Sequence, residues 1–184
     1  APLFGYEMLA LVVERASRQR FGAFLEESIF RPLGMTGSVV RDSTEPVIAH
    51  RARGYTSRDG RFELLDDHPL NHIIGSGSVF TSIEDLARWD RALDTETLVR
   101  RSTLEEAWTP VELAGGERYP YGFGWGLGDY GGLGRRVHHT GHWLGFSNYL
   151  GRLPERRLTV IVLSNIEDFE SEEYAGRIVD LLYP

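Results

Sequence analysis

Three histidines lie within the segment 137–146, which reads Val-His-His-Thr-Gly-His-Trp-Leu-Gly-Phe. Imidazole rings can bind metal ions, transfer protons or hydrogen-bond a substrate. A metal site is disfavoured, because alternation along a strand sends His138 and His139 to opposite faces, and the segment holds no acidic residue to complete a ligand shell. We therefore expect no metal here, and proton transfer or hydrogen bonding is the chemistry left for these rings.

The nucleophile that such histidines would serve is not evident in the chain. Cysteine is absent, which excludes a thiol nucleophile. All 20 basic residues counted as Lys or Arg are arginine, so a Ser-x-x-Lys pair, in which the lysine amine sits beside the serine hydroxyl, cannot occur. The sequence also lacks a Gly-x-Ser-x-Gly elbow, so no Ser/His/Asp triad is supported.

Composition and charge narrow the class of protein. The formal charge of −7 is unfavourable for binding nucleic acid, whose phosphates attract basic surfaces. An apolar content of 41% is typical of a globular chain. No apolar run approaches the roughly 18 residues that a membrane span needs. A G-x-G-x-x-G pattern at 126–131 is followed by more glycine and a strand rather than a helix, so we expect no nucleotide or other cofactor. These features leave the cellular compartment open.

Helical patterns dominate the region from about 1 to 110. Four residues share one face of a first helix, and a second apolar stripe over 21–29 is predicted to end at Pro32 and Gly34. The first face comprises Tyr6, Leu9, Val13 and Ala16. A hairpin is predicted over 50–67, and the pairs Ser82 with Asp85 and Ser102 with Glu105 predict capping boxes for two further helices.

Strand patterns follow from about 119 to 165. Alternation predicts strands over 121–128, 138–149 and 158–165, with a turn at 154–157. A helix over about 171–183 closes the chain, with an apolar face of Tyr174, Ile178, Leu181 and Leu182. Helices, then an antiparallel meander of three strands, then a helix predict an α+β fold in a single partial domain over 1–184.

Four segments in the same order carry a resemblance to a known family. The His-Thr-Gly segment and the strands after it resemble the Lys-Thr-Gly region of class C β-lactamases, DD-peptidases and related esterases, many of which have His in place of Lys. Upstream, Gly5-Tyr-Glu-Met-Leu9 and Ile29-Phe-Arg-Pro-Leu-Gly-Met35 resemble two of the family's helices. Residues 75–93 resemble its Gly-Gly-x-x-Ser-Thr-x-x-Asp-Leu-x-x-Trp segment.

The resemblance implies roles for individual residues. His139 would occupy the cationic or hydrogen-bonding position, Thr140 would offer its hydroxyl to a substrate carboxylate or carbonyl, and Gly141 would let the substrate backbone approach. The backbone N–H of His142 would be one of two oxyanion donors, the other belonging to the nucleophilic serine. Asn165 would face the ligand. A plain strand that binds nothing is the alternative for Thr140 and Gly141.

The departures from the family pattern predict a chain that is inactive alone. In the family, Ser-x-x-Lys and Tyr-x-Asn precede the point at which this chain begins, and the positions expected for Tyr-x-Asn read Ala-Pro-Leu. The expected fold is thus the C-terminal portion of a β-lactamase/DD-peptidase-like domain, as in a fragment or processed product. The parent would act on a small-molecule acyl substrate. The alternatives are a non-catalytic binding module and one half of an enzyme completed by an N-terminal chain.

The expected assembly follows from the strands that the family builds before its nucleophile. One of them pairs with the strand that here spans 158–165, which carries no charge after Thr159 and no proline. That strand is predicted to be an open edge. Open edges recruit other chains, so we expect self-association or pairing with a missing N-terminal half through it.

Overall fold

The computed structural model describes residues 3–42, 47–66, 68, 71 and 73–184. Ala1 and Pro2, two of the positions compared with Tyr-x-Asn, lie outside the described residues, as does Asp67 of the predicted hairpin. The described helices are α1 Leu3–Ser17, α2 Phe21–Leu25, α3 Arg31–Leu33, α4 Ile83–Ala92, α5 Arg101–Ala107 and α6 Ser171–Leu182. Helix and antiparallel sheet together give the expected α+β class.

A four-stranded antiparallel sheet organises the C-terminal half. Its strands are β7 Gly126–Asp129, β8 Arg135–Trp143, β9 Phe146–Leu153 and β10 Leu158–Ser164, in the spatial order β10-β9-β8-β7. The prediction of one strand over 138–149 was wrong, because the chain turns back at Leu144 and Gly145, and the sheet has four strands rather than three. The turn was missed because its Leu144 adopts a positive φ of 47°, which few leucines do.

Helix α6 covers one face of the sheet. Ala175 and Val179 of α6 are buried against Tyr149, Leu153 and Val160 of the sheet. The apolar face predicted for α6 from the sequence is not the buried one, so that prediction was wrong. Ala175 and Val179 face the sheet instead, and the larger apolar side chains face outward. Those are Tyr174, Ile178, Leu181 and Leu182, between 41% and 82% exposed.

Helices α4 and α5 cover the opposite face. Val137 of β8, fully buried, packs there in one cluster with Leu93, Leu104 and Trp108. Trp89 of α4 stacks on Trp125 with ring centroids 5.9 Å apart. The sheet is thus sandwiched, with α6 on one side and the N-terminal helical region on the other.

An ion-pair cluster fixes α4 to the sheet. The almost fully buried Arg152 of β9 contacts Asp90 at 2.8 Å and Asp94 at 2.6 Å. The hydroxyl of Thr159 in β10 donates to the Asp90 carboxylate at 3.0 Å. Arg152 and Asp90 are both largely buried, and removing one partner of such a pair leaves an uncompensated charge, so we expect this pair to specify how α4 docks on the sheet.

Short pairs of strands complete the helical region. The hairpin of β2 Tyr55–Arg58 and β3 Arg61–Leu64 forms as predicted. Antiparallel pairs also join β1 Val39–Val40 to β4 Val79–Phe80 and β5 Val111–Glu112 to β6 Arg118–Tyr119.

The helix ends depart from the predictions in three places. Gly34 ends the second helix as predicted, with a φ of 67°, but Pro32 lies inside its last turn, which follows a π-helical turn at Glu26–Phe30. Ser82 caps α4 as predicted, but the Asp85 carboxylate accepts from Gly37 N and Ser38 Oγ instead of capping in return. Helix α5 begins one residue before Ser102, which therefore is not its cap.

Helix α1 presents an unexpected face to the rest of the chain. Ala10 is its buried residue, and Tyr6 and Val13 are half-buried, whereas Leu9 and Ala16, predicted on the same face, are exposed. Among the helices of the described ranges, none has the length and apolar character needed to cross a bilayer.

Candidate active site

The two halves of β8 have different neighbours. Residues 135–138 pair with β7 on one side, and residues 137–143 pair with β9 on the other. In the described part of the chain no strand pairs with the β7 side of residues 139–143. The side chains of residues 139–142 are exposed, so this stretch, the His-Thr-Gly-His motif, forms an open wall with a free strand edge.

Alternation separates the two adjacent histidines, as the sequence predicts. His138 lies on the α6 side, with its ring 5.9 Å from that of Tyr149 and its Nδ1 3.9 Å from Glu172 of α6. Burial, followed by the charge of Arg136, lowers the pKa of His138. His139 lies on the other side and contacts Tyr121. His138 is therefore held neutral inside the sandwich, and His139 belongs to the open wall.

Both ring nitrogens of His139 have protein partners. Nε2 lies 2.9 Å from the hydroxyl of Tyr121, and Nδ1 lies 2.5 Å from the carbonyl oxygen of Thr140. Tyr121 in turn lies 3.2 Å from the hydroxyl of Tyr6 in α1. No local sequence pattern predicts this contact, because Tyr6 and Tyr121 are 115 positions apart.

The remaining predicted site residues have distinct surroundings. Thr140 and Gly141 are exposed on the wall, and a Cβ at Gly141 would meet Asn148 only at an ordinary 3.7 Å. The ring of His142 donates from Nε2 to the carbonyl oxygen of Glu167 at 2.9 Å. The side-chain amide of Asn165 donates to the carbonyl oxygen of Arg53 at 2.9 Å. This hydrogen bond joins the segment before β2 to the end of β10. Four of the five predicted residues thus form one continuous strip, and Asn165 stands apart from it.

Two glycines that sequence reasoning overlooked fix the end of the wall. A Cβ on Gly145 would lie 2.1 Å from Tyr55 N, and one on Gly54 would lie 2.9 Å from Gly145 Cα. The backbones can approach this closely only without side chains. Gly145 N donates to Leu65 O at 2.9 Å, which joins the β8–β9 turn to the hairpin insert.

An aromatic contact extends the wall beyond the motif. The indole N–H of Trp143 donates to Asn71 Oδ1 at 2.8 Å, and the ring of His68 meets Trp143 edge-on at 5.7 Å. His68 and Asn71 therefore contact Trp143, the residue that follows the motif. Over the described residues, no three side chains of His, Asp or Glu come together in a way that could hold a metal ion.

Comparison with known proteins agrees with this geometry. The beta-lactamase family pattern matches residues 4–183. The chain is 36% identical to penicillin-binding protein 4* of Bacillus subtilis over 95% of its own length and 41% of that protein's. It is 30% identical to the mitochondrial serine beta-lactamase-like protein LACTB of Homo sapiens, over 83% of this chain and 32% of LACTB. The chain thus spans less than half the length of these relatives.

Solved structures support the same assignment. The octameric penicillin-binding protein homologue of Pyrococcus abyssi superimposes with a TM-score of 0.82 at 26% identity, over 98% of this chain and 41% of that one. The D-amino acid amidase of Ochrobactrum anthropi shares the fold, with a TM-score of 0.79 at 23% identity over 99% of this chain and 56% of that one. From the matched family pattern and this shared fold, the chain belongs to the beta-lactamase family of serine hydrolases.

Proposed function

We propose that residues 1–184 form one partial domain that supplies the substrate-side wall of an acyl-serine hydrolase, and that the nucleophilic serine lies outside these residues. The observation that carries the proposal is the free edge of β8 at residues 139–143, which bears the His-Thr-Gly-His motif exposed. The absence of lysine supports the proposal that the nucleophilic serine lies outside these residues, because Ser-x-x-Lys cannot occur within the sequence.

The wall suits an extended acyl substrate. An unpaired strand edge offers backbone N–H and C=O groups to a substrate backbone, as in recognition by strand addition. By resemblance to the family, the N–H of His142 donates to the oxyanion of the tetrahedral intermediate, alongside the N–H of the serine. The His142 ring is held by Glu167, which fixes the residue without using its backbone N–H.

The remaining members of the strip orient the substrate. By the same resemblance, the Thr140 hydroxyl hydrogen-bonds a carboxylate or carbonyl of the substrate, and Gly141 leaves room for the substrate backbone. His139 donates or accepts near the developing charge, a role of the general acid–base kind. Relatives include a D-aminopeptidase of Gluconobacter oxydans, 26% identical over 87% of this chain, which is consistent with amide substrates.

A direct assay separates the wall from a complete enzyme. The 184 residues and the natural polypeptide that contains them are each incubated with a chromogenic β-lactam, p-nitrophenyl esters and a fluorophosphonate probe. We expect turnover only from the longer protein, since the oxyanion donor cannot replace covalent catalysis by an activated serine. Turnover by the 184 residues well above buffer, or stoichiometric labelling of one of their serines, would disprove the proposal.

We further propose that β10 pairs with another strand, either of a second copy or of an N-terminal segment. Strand β10 lies at the edge of the sheet, and no strand in the described ranges pairs with its outer side over Leu158–Ser164. The apolar side chains on the outer face of α6, from Tyr174 to Leu182, are a second uncovered apolar surface. A structural relative is octameric, which is consistent with association.

Light scattering on the 184 residues at micromolar concentration tests this assembly. We expect oligomers, because an uncharged edge strand exposes unpaired backbone groups. Leu163→Lys, which places a charge at an exposed position of the edge strand, should shift the population toward monomer, whereas Val47→Lys, at an exposed position away from the sheet, should not. A monodisperse monomer with slow amide exchange over 158–164 would show that the edge is covered internally and would contradict the proposal.

A further inference from the structure

Three hydroxyl and imidazole groups from separate elements form one hydrogen-bonded line beside the wall. His139 is on β8, Tyr121 follows β6, and Tyr6 is on the second turn of α1. The distances are 2.9 Å from His139 Nε2 to the Tyr121 hydroxyl and 3.2 Å from there to the Tyr6 hydroxyl. The line therefore connects the motif to the helix at the start of the described chain.

The direction of each hydrogen bond follows from the Thr140 carbonyl. A carbonyl oxygen only accepts, so Nδ1 of His139 must carry a proton and donate to it across 2.5 Å. In the neutral ring, Nε2 is then the unprotonated nitrogen and accepts from the Tyr121 hydroxyl. Because the Tyr121 hydroxyl donates its only proton to Nε2, its oxygen accepts a hydrogen bond from the Tyr6 hydroxyl. One tautomer of His139 satisfies all three contacts.

Tyr121 is suited to donate rather than ionise. Burial, and next the hydrogen bond with Tyr6, raise the pKa of Tyr121 well above its usual value. Its hydroxyl therefore keeps its proton throughout the physiological range. The Tyr121 and His139 rings meet at 66° with centroids 6.0 Å apart, so Tyr121 also restricts the plane of the imidazole.

Tyr6 is held in place by the loop that contacts α1. A Cβ on Gly75 would lie 2.1 Å from the Tyr6 carbonyl oxygen, so the two backbones touch. The neighbouring Glu7 carboxylate accepts from Gly75 N at 3.0 Å and from Ser76 Oγ at 2.7 Å. These contacts fix the turn of α1 from which the Tyr6 hydroxyl reaches Tyr121.

We propose that Tyr121 is the positioning residue of His139, with Tyr6 behind it, and that the pair locks the neutral imidazole in its Nδ1–H tautomer. The functional consequence rests on the proposed role of His139 in acyl transfer. A fixed tautomer and ring plane keep the imidazole in one arrangement beside the wall. Without Tyr121, Nε2 would lose its donor and the ring would be free to change tautomer or rotate.

Nitrogen NMR of the natural polypeptide, labelled with ring-¹⁵N histidine, tests the tautomer without any substrate. His139→Gln identifies the His139 signals by their loss. In the neutral ring we expect a protonated Nδ1 and an unprotonated Nε2. Tyr121→Phe should move the Nε2 signal toward that of an acceptor without a donor, and Tyr6→Phe should move it less in the same direction. The control Tyr119→Phe changes an exposed tyrosine two positions away and should move neither signal.

Two results would overturn the assignment. One is a protonated Nε2 in the neutral wild-type ring, and the other is an unchanged His139 spectrum in Tyr121→Phe. Tyr6→Phe gives an independent reading should Tyr121→Phe fail to fold, since loss of the Tyr6 donor must still perturb Nε2 through Tyr121. An effect of Tyr119→Phe equal to that of Tyr121→Phe would equally reject a specific role.

Kinetics distinguish this proposal from the proposed function. With an acyl substrate, Tyr121→Phe should lower kcat about tenfold with little change in KM, as expected for loss of one hydrogen bond near the reacting atoms. Turnover that is equal in Tyr121→Phe and Tyr119→Phe would refute positioning while leaving hydrolysis intact. Absence of turnover from the natural polypeptide would refute hydrolysis, and the NMR result would still decide whether Tyr121 fixes His139.

Discussion

The first and second halves of β8 make opposite use of the same strand. Residues 135–138 pair with β7, and Val137, which pairs with β9 as well, is fully buried. Residues 139–142 pair with β9 on one side, and no strand of the described residues pairs with them on the other, where they are exposed. The difference arises in the neighbouring strand, because β7 begins at Gly126 opposite His138 and extends no farther. A short neighbour thus converts half of a core strand into an accessible wall.

The adjacent histidines show the same contrast at the level of side chains. His138 is packed against Tyr149 beneath α6, and burial lowers its pKa. His139 is exposed and hydrogen-bonded to Tyr121. The two histidines therefore differ in the face they occupy, because successive side chains of a strand point to opposite faces, and in their neighbours, because β7 ends opposite His138.

Replacing His138 and His139 in turn by alanine should give the largest difference in kcat/KM between the two halves of β8. In the natural polypeptide, His139→Ala should lower kcat/KM by about 10- to 1000-fold, the range expected for a hydrogen-bonding or acid–base group near developing charge. His138→Ala should reduce kcat/KM far less and act on thermal stability. Steady-state kinetics on a p-nitrophenyl ester provide the measurement. Equal losses would mean that the register of β8 is displaced by one residue.

The turn that ends the exposed half should tolerate no side chain. Gly145→Ala would bring a Cβ to 2.1 Å from Tyr55 N, so we expect a loss of about 3 kcal/mol in the free energy of unfolding. Gly115→Ala is the matched control, since a Cβ there meets nothing within 4 Å. Urea denaturation measures the stability of both variants. Equal stability of the two would show that the backbone of Gly54 and Tyr55 does not pack tightly against this turn.

Substitutions inside the two halves should affect different properties. Val137→Ala removes buried methyl groups beside Trp108 and should lower the free energy of unfolding by about 2 kcal/mol. Thr140→Val keeps the shape of an exposed side chain and should change stability by less than about 0.5 kcal/mol while weakening substrate binding through the lost hydroxyl. A large loss of stability from Thr140→Val would place Thr140 in the core and break the distinction.

The smallest predicted effect is the pH dependence that His138 contributes. Because the folded-state pKa of His138 lies below its ordinary 6.5, the unfolded chain binds more protons in this range. The free energy of unfolding should therefore rise with pH from the folded-state pKa up to about 6.5, and acid should remove that contribution. His138→Gln should flatten the slope when thermal melts between pH 5 and 7 are compared. An unchanged slope would contradict the buried neutral state of His138.

The sequence predicts the parts of the fold that depend on local pattern. Alternation correctly assigned His138 and His139 to opposite faces, and the hairpin at β2–β3 formed where its turn residues indicated. The turn at Leu144–Gly145 was missed because Leu144 adopts a positive φ that is rare for leucine, and the backbones of Gly54 and Tyr55 that pack against the turn are distant in sequence. The same cause hid the contact between Tyr6 and Tyr121.

The sheet-facing side of α6 shows how packing overrides a local pattern. Large apolar side chains predicted its buried face, yet the close approach of the helix to the sheet selects the small Ala175 and Val179. Size limits at an interface depend on the partner surface, which no pattern within the helix reveals. Asp85 is a comparable case. Its carboxylate accepts hydrogen bonds from Gly37 N and Ser38 Oγ in another segment rather than capping its own helix.

The central claim is that these residues provide the wall of an active site whose nucleophile lies elsewhere. The most direct measurement is to label the natural polypeptide with a fluorophosphonate and to locate the modified serine by peptide mass spectrometry. We expect one modified serine, outside residues 1–184 and followed three positions later by lysine. A modified serine within residues 1–184 would contradict it.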